Sequence, residues 1–132
     1  MNEVYEFLKA CGTYYLATVD KDGAPRVRPF GTVDCWNGKL TLQTGLKKDV
    51  AKQMLAEPRV EICAVAADGR WLRLSAKAVL VEDVAAAEHM LEAYPSLRAM
   101  YTPGDGNTAV FALTDAAAVI CSFTAPPVEY RF

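Results

Sequence analysis

Two arginines separated by one residue, Arg26 and Arg28, are the first side chains whose types and spacing could do chemistry. They lie in an extended run, and alternation along a strand places both guanidinium groups on one face and Val27 on the other. Arginine suits phosphate because its planar fork donates two parallel hydrogen bonds. The run from Arg26 to Pro29 therefore predicts an anion-binding strand, although a solvated strand face would show the same spacing.

A second cationic cluster lies where a strand is predicted to end and a helix to begin. Gln43 and Thr44 close the extended run, and Lys47 and Lys48 are predicted to open the helix. The free N–H groups of a helix start, a hydroxyl and two ammonium groups together favour phosphate. Lysine in a first helical turn opposes the helix dipole, an arrangement more natural beside an anion. The alternative is that Thr44 caps the helix and both lysines are merely solvated.

A third cluster combines an aromatic ring with a cation. Strand alternation over 70–75 places Trp71, Arg73 and Ser75 on one face and two leucines on the core face. An outward aromatic ring beside a cation predicts a subunit interface or a planar ligand, and a simple surface stack is the alternative. The late aromatic residues, Tyr130 and Phe132, are predicted to dock on the fold or on a partner subunit.

Composition and charge exclude several classes of function. The 132 residues carry a formal net charge of −2 and the isoelectric point is near 5.4, which disfavours generic nucleic-acid binding. The four cysteines show no CxxC spacing and His89 is the only histidine, so neither a zinc site nor a disulfide framework is predicted. The acidic N-terminus and the lack of a long apolar segment predict a cytoplasmic protein that is neither exported nor inserted in a membrane.

One glycine-rich segment, 104–109, matches the spacing GxGxxA. It follows helical sequence and precedes an extended run. A dinucleotide fingerprint requires the opposite order, so this segment is not predicted to bind a dinucleotide.

The remaining periodicity predicts one domain over 1–132, mainly β with flanking helices. Turn signals such as Asn37-Gly38 separate short extended runs. Pro25 and Pro29 predict that their strand is irregular or lies at an edge of the sheet. Helices are predicted over 2–10, 47–56 and 84–94, with a helical turn over 96–101. Strands are predicted over 13–19, 24–33, 39–44, 59–66 and 70–81, with a final hairpin over 108–113 and 117–124. Such strands suggest a six- to seven-stranded antiparallel barrel.

The order of these motifs resembles small members of the pyridoxamine 5′-phosphate oxidase-like superfamily. The resemblance rests on the runs 13–19, 25–30, 42–48 and 69–75, and it covers nearly the whole chain. It implies a split β-barrel that forms a homodimer, with FMN in two equivalent sites at the subunit interface. The residues it places around FMN are Arg26, Val27, Arg28, Pro29, Gln43, Thr44, Lys47, Lys48, Trp71 and Arg73, the last two reaching the flavin from the other subunit.

The resemblance also implies an FMN-dependent oxidoreductase or reductase acting on an unidentified small molecule, with NAD(P)H as a candidate electron donor. Because a flavin carries the electron chemistry itself, no catalytic side chain is expected. A deazaflavin-dependent reductase and a non-catalytic flavin- or haem-binding module are the alternatives, haem being the weaker because His89 is the only histidine. The sequence after the last predicted strand lacks the Trp- and Arg-containing segment with which true oxidases hold pyridoxal phosphate, so vitamin B6 oxidation is not expected.

Overall fold

The computed structural model describes residues 1–132. Its helices and strands, in chain order, are α1 Asn2–Cys11, β1 Tyr14–Val19, β2 Pro25–Phe30, β3 Asp34–Trp36, β4 Lys39–Gly45, α2 Asp49–Ala56, β5 Arg59–Val65, β6 Trp71–Val81, α3 Val84–Ala93, a 3₁₀ helix Pro95–Ala99, β7 Thr108–Cys121 and β8 Val128–Arg131. None of the helices is long and apolar enough to span a membrane. The mainly β composition with flanking helices is as predicted.

All eight strands belong to one sheet, and every pairing is antiparallel. The strand order is β2-β1-β5-β6-β7-β4-β3, and β8 pairs with β7 beyond this path. The register between β6 and β7 shifts between Ser75 and Lys77. Such a bulge increases local twist and lets two long strands curve around a core. Strand β2 lies at an edge, which confirms the position predicted from Pro25 and Pro29, since proline donates no hydrogen bond to a neighbouring strand.

Alternation along β5 and β6 separates the core face of the sheet from its outer face. In β5, residues Val60, Ile62 and Ala64 are buried and their neighbours are exposed. In β6 Leu72 and Leu74 are buried, whereas Trp71 and Arg73 face outward, as predicted. Helices α1 and α2 cover the core with apolar faces that include Val4, Leu8, Val50 and Met54.

The predicted final hairpin is wrong, because residues 108–121 form the single long strand β7. Asp115 adopts a left-handed conformation with φ 49° inside this strand. Aspartate tolerates that conformation better than most residues, so the local signal that predicted a turn instead marks an irregularity within one strand. The strand β8 was not predicted, and it brings the last aromatic residues back onto the sheet. Phe132 exchanges two backbone hydrogen bonds with Ala116, of 2.7 and 2.9 Å.

Candidate functional site

A cleft lies between β2, the start of α2 and the 3₁₀ helix, and its volume is about 210 Å³. Five of the ten predicted site residues line it: Arg28, Pro29, Gln43, Thr44 and Lys48. The other lining residues are Phe30, Gly31, Thr32, Val50, Leu97, Met100 and Tyr101. We call this feature the cleft. Its only charged residues are Arg28 and Lys48, so its charge is entirely positive.

A larger groove of about 1100 Å³ lies between the β1–β2 hairpin and α2, and we call it the hairpin groove. Its basic residues, Lys21, Arg26, Arg28 and Lys52, are matched by four acidic ones, Asp20, Asp22, Asp49 and Glu57. Because these charges balance, the hairpin groove does not favour an anion. The smaller cleft is therefore the better candidate for a phosphate, despite its size.

Arg28 stands in the wall between the two spaces, and its guanidinium group has only neutral partners. Nη1 donates to Thr18 Oγ1 at 2.7 Å, and Nη2 donates to Gln53 Oε1 at 2.9 Å. Nη1 also lies 3.3 Å from the carbonyl oxygen of Leu16. Burial lowers the pKa of Arg28, and Asp49 acts in the opposite direction from a distance. Since arginine stays protonated in proteins, a half-buried positive charge remains here without a carboxylate partner.

Arg26 differs, although it lies on the same side of β2. The β1–β2 register places Arg26 opposite Thr18 and Arg28 opposite Leu16, so both arginines share the face of these buried residues. Arg26 Nε pairs with Asp20 Oδ2 at 2.9 Å. The pKa of Asp20 is lowered, chiefly by the backbone N–H of Ala24 and also by Arg26. The charge of Arg26 is thus already compensated, and Arg26 lines only the hairpin groove.

Gln43 and Thr44 lie at the buried end of β4 and form the floor of the cleft. Gln43 is only 6% exposed, and its buried Oε1 has no hydrogen-bond partner. A buried polar atom without a partner is unfavourable, so an amide in this position fits a ligand with complementary polar groups. The alternative prediction that Thr44 caps α2 is wrong, because no side chain caps that helix.

The lysines do not lie in a first helical turn, which corrects the prediction that α2 begins at Lys47. The helix begins at Asp49, and Lys48 is its N-cap residue with an extended backbone at φ −79° and ψ 149°. Asp49, an acid, occupies the first turn, as the helix dipole favours. The dipole argument for an anion therefore fails. What remains is a tight turn that carries two exposed ammonium groups, of which Lys48 lines the cleft and Lys47 does not.

Val27, Trp71 and Arg73 lie on the outer face of the sheet, away from the floor of the cleft. Val27 is 68% exposed there. Paired residues link Pro29 of β2 to Arg73 of β6 through Tyr15 and Cys63. Three strand spacings separate Pro29 from Arg73, roughly 14 Å. Within one subunit, therefore, Arg73 and Trp71 cannot complete the cleft.

Several residues of the site have no signal in the sequence. Thr18 and Gln53 hold Arg28, yet they are 35 positions apart and only the packing of α2 against β1 joins them. Leu97, Met100 and Tyr101 come from the 3₁₀ segment. Thr32 accepts the backbone N–H of Gln43 at 3.1 Å.

The groups that fit the cleft can be judged from its chemistry. It offers two cations for an anionic group, an unpartnered buried amide, and apolar side chains such as Phe30 and Leu97 for a ring. His89 does not line it, because its Nδ1 bonds Asp34 Oδ2 and its ring packs on Trp36. A phosphorylated ring compound therefore fits the cleft, whereas a haem would find no histidine there.

Comparison with known proteins gives consistent results. The sequence model of the pyridoxamine 5′-phosphate oxidase family matches residues 1–118. The chain is similar to the solved structure of a NimC/NimA family protein from Clostridium acetobutylicum, with 40% identity and a TM-score of 0.96 over 100% of this chain and 92% of that one. None of the curated proteins matches the sequence significantly.

Two more distant structures share the fold. One is a pyridoxamine 5′-phosphate oxidase-related, FMN-binding protein from Nostoc punctiforme, with 15% identity and a TM-score of 0.59 over 98% of this chain and 92% of that one. The other is a haem-binding protein from Mycobacterium smegmatis, with 16% identity and a TM-score of 0.75 over 96% of this chain and 57% of that one. At these identities only the fold is shared, and it is the predicted split β-barrel.

Proposed function

This chain belongs to the pyridoxamine 5′-phosphate oxidase family, and we propose that it is a cytoplasmic, FMN-dependent oxidoreductase that binds its cofactor in the cleft as a homodimer. Its substrate is a small molecule, and NAD(P)H is the candidate electron donor. The FMN-binding relative from Nostoc punctiforme supports a flavin on family grounds. The support from this chain's own residues comes from Arg28.

The half-buried guanidinium group of Arg28 carries the proposal. Its partners, Thr18, Gln53 and a carbonyl oxygen, hold its orientation but do not neutralise its charge. Lys48 adds a second cation to the same cleft, and no acidic residue lines it. A phosphate group would compensate both charges, and such charge-assisted bonds are roughly twice as strong as neutral ones.

Different residues of the cleft would contact different parts of the cofactor. Arg28 and Lys48 would hold the phosphate, with Lys47 close by, while Gln43 and Thr44 would contact the ribityl chain and the ring. The outward residues, Trp71 and Arg73 of the partner subunit, would cover the ring from the other side. Val27 and Pro29 would belong to the same boundary between subunits.

The size of the cleft supports the second subunit. At about 210 Å³ it is smaller than the roughly 300–1,000 Å³ of typical small-molecule sites. Met100 at its rim is 71% exposed. One subunit therefore supplies the floor of the site and the cations for the phosphate. In a two-fold dimer, each subunit would supply the missing wall of its partner's site through the same contact.

FMN supplies the electron-transfer chemistry when it is bound. The chain's own residues neutralise the phosphate, orient the ring and exclude water from one of its faces. Acid–base chemistry by the side chains is not part of the proposal.

The test is equilibrium binding of FMN, riboflavin, haem and a deazaflavin to the purified protein, followed by absorption spectroscopy. FMN should bind at micromolar concentration or tighter, and riboflavin more weakly. Arg28→Ala should abolish most of this preference, whereas Arg59→Ala should leave it unchanged, because Arg59 is exposed and pairs with Glu57. Bleaching of bound FMN by NADH or NADPH without oxygen would identify the electron donor.

Three outcomes would contradict the proposal. If the protein does not bind FMN at micromolar concentration, the proposed cofactor is wrong. Tighter binding of the deazaflavin than of FMN would identify the deazaflavin as the cofactor. A haem spectrum with no flavin binding would indicate a haem-binding module instead.

A further inference from the structure

The loop between the 3₁₀ helix and β7, residues 100–107, contacts the turn that carries both lysines. The carbonyl oxygen of Asn107 accepts the backbone N–H of Leu46 at 2.7 Å. The side-chain Oδ1 of the same asparagine accepts the backbone N–H of Lys47 at 3.0 Å. One residue, sixty positions further along the chain, therefore holds two consecutive N–H groups of the turn.

Gly45 brings the turn and the loop into direct contact. A Cβ atom added at Gly45 would lie 3.0 Å from Nδ2 and 3.2 Å from Oδ1 of Asn107, and 3.3 Å from Cε1 of Tyr101. These separations are shorter than ordinary van der Waals contacts, so a side chain at position 45 would require the side chain of Asn107 to shift by a few tenths of an ångström. The contact begins where the pairing of β4 with β7 ends, at Gly45 and Thr108.

Asp105 keeps the loop in shape independently of the turn. Its Oδ1 accepts the N–H groups of Asn107 at 2.8 Å and Thr108 at 2.6 Å. Its Oδ2 accepts the N–H of Thr102 at 3.1 Å and the hydroxyl of Thr108 at 2.9 Å. These hydrogen bonds, led by the one from the Thr108 backbone, hold the pKa of Asp105 well below its usual range. Asn107 thus projects from a braced loop.

The side chains of the two lysines have no ionic partner to position them, although the backbone of Lys48 is also held by α2, where its carbonyl oxygen accepts the N–H of Lys52 at 3.3 Å. Neither Lys47 nor Lys48 forms a salt bridge, and both are exposed. Lysine has a long, flexible side chain, so where its ammonium group can reach depends on where its backbone is held. Besides Asn107, the turn has one internal hydrogen bond, from Lys48 N–H to Gly45 O at 3.0 Å.

We propose that Asn107 is the positioning residue of the cationic turn, and that it increases the preference of the cleft for a phosphorylated flavin over an unphosphorylated one. This inference rests on the proposed function. In this role the segment 104–109 supports the phosphate site through the contact of Asn107 with the cationic turn. Its glycines bind no dinucleotide. Asn107 acts through Lys47 and Lys48 and does not touch the ligand.

The experiment compares the affinities for FMN and riboflavin in wild type, Asn107→Ala and Gly45→Ala. Asn107→Ala removes the Oδ1 acceptor of the Lys47 N–H and keeps the carbonyl acceptor of Leu46. It should therefore weaken FMN about fivefold, less than the loss of the Lys48 side chain, and should leave riboflavin within about twofold. Gly45→Ala should give the same selective loss by displacing Asn107. The double variant should lose little more than Asn107→Ala alone, because both changes act on one contact.

Thr102→Ala is the matched control, since its exposed side chain makes no hydrogen bond and its backbone donor to Asp105 is kept. It should bind both flavins as wild type does. Circular dichroism and thermal unfolding show whether each variant is folded, and Gly45→Ala gives a second route if Asn107→Ala is not.

Two results overturn the inference. A folded Asn107→Ala or Gly45→Ala variant that loses FMN and riboflavin affinity equally, or loses neither, shows that Asn107 is structural only. Wild-type protein that binds FMN no better than riboflavin contradicts the proposed function and this inference with it, whereas wild-type selectivity that survives both variants contradicts this inference alone.

Discussion

Arg28 and Arg26 lie two residues apart on one strand, but only Arg26 has a carboxylate partner. Arg26 is exposed and compensated by Asp20, while Arg28 is half-buried among neutral groups. A partner that supplies hydrogen bonds without charge keeps a guanidinium group oriented and still able to attract an anion. Gln53 is such a partner, because its Oε1 accepts from both Arg28 and Thr18.

Changing Gln53 should separate stability from binding. Gln53→Glu places a carboxylate 2.9 Å from Nη2 of Arg28, so the fold should keep its stability while FMN affinity falls about tenfold or more as the charge is compensated. Gln53→Met removes the acceptor of two hydrogen bonds and should lower the free energy of unfolding by about 1–3 kcal/mol. Denaturant unfolding and FMN titration of both variants give the two quantities. Wild-type FMN affinity in Gln53→Glu would show that Arg28 does not address the phosphate.

The two lysines should contribute unequally, because only Lys48 lines the cleft. Lys48→Ala is expected to weaken FMN about tenfold or more, and Lys47→Ala less, with riboflavin unaffected in both. The double variant should bind FMN little better than riboflavin. Titration of both ligands measures this, and equal losses for FMN and riboflavin would mean that the lysines are only solvated.

The sequence predicts that the two arginines share a face of β2, but it does not predict which of them lacks a carboxylate partner. Alternation alone places Arg26 and Arg28 on one face, and the structure agrees. The compensation of Arg26 depends on how the turn folds Asp20 back across the hairpin. The neutral surroundings of Arg28 depend on a helix that packs there from later in the chain. Neither contact leaves a periodic signal in the sequence.

Elements were predicted better than their boundaries. The hydrophobic face of α2 predicted its existence, and Val50 and Met54 are indeed buried. The predicted start of α2 is two residues too early, since lysine is a good helix former. In the structure, Asn107 accepts the N–H of Lys47 and Gly45 accepts the N–H of Lys48, and these bonds hold both lysines in a turn. Similarly, the residues around Asp115 carry a turn signal that long-range pairing with β6 overrides.

The loop braced by Asp105 should respond to acid. The folded pKa of Asp105 lies below its unfolded value, so this carboxylate stabilises the fold fully above the unfolded value and loses that contribution as the pH falls toward the folded one. The unfolded pKa is about 3.9. Thermal unfolding between neutral pH and about pH 2 should therefore show a loss in wild type that is smaller in Asp105→Asn, which starts from a lower melting temperature. Parallel curves for the two proteins would contradict this role.

At the scale of the whole molecule, the outer face of the sheet and the adjoining β7–β8 connection expose large apolar side chains. Val65 is 63% exposed, and Phe123 is 92% exposed where it packs on Trp71 with ring centroids 5.1 Å apart. Arg73 lies on this face, in a hollow that it shares with Glu61, Glu129 and Arg131. Contiguous apolar surface around opposite charges is typical of an interface, and a two-fold axis lets one patch complement itself.

We therefore expect a dimer that is coupled to the flavin. Trp71→Ala removes an aromatic anchor from this face, and Arg73→Glu puts a third acid beside Glu61 and Glu129, so each should shift the protein toward monomer and weaken FMN while the barrel stays folded. Glu88→Ala is the control, because Glu88 is exposed on α3 and lies outside this face. Analytical ultracentrifugation over a range of concentrations, with and without FMN, measures both effects. FMN should strengthen the dimer in wild type, since a ligand held between two subunits binds the assembled state preferentially. A wild-type monomer that binds FMN tightly would remove the partner's residues from the site and leave Arg28 and the cationic turn to hold the cofactor alone.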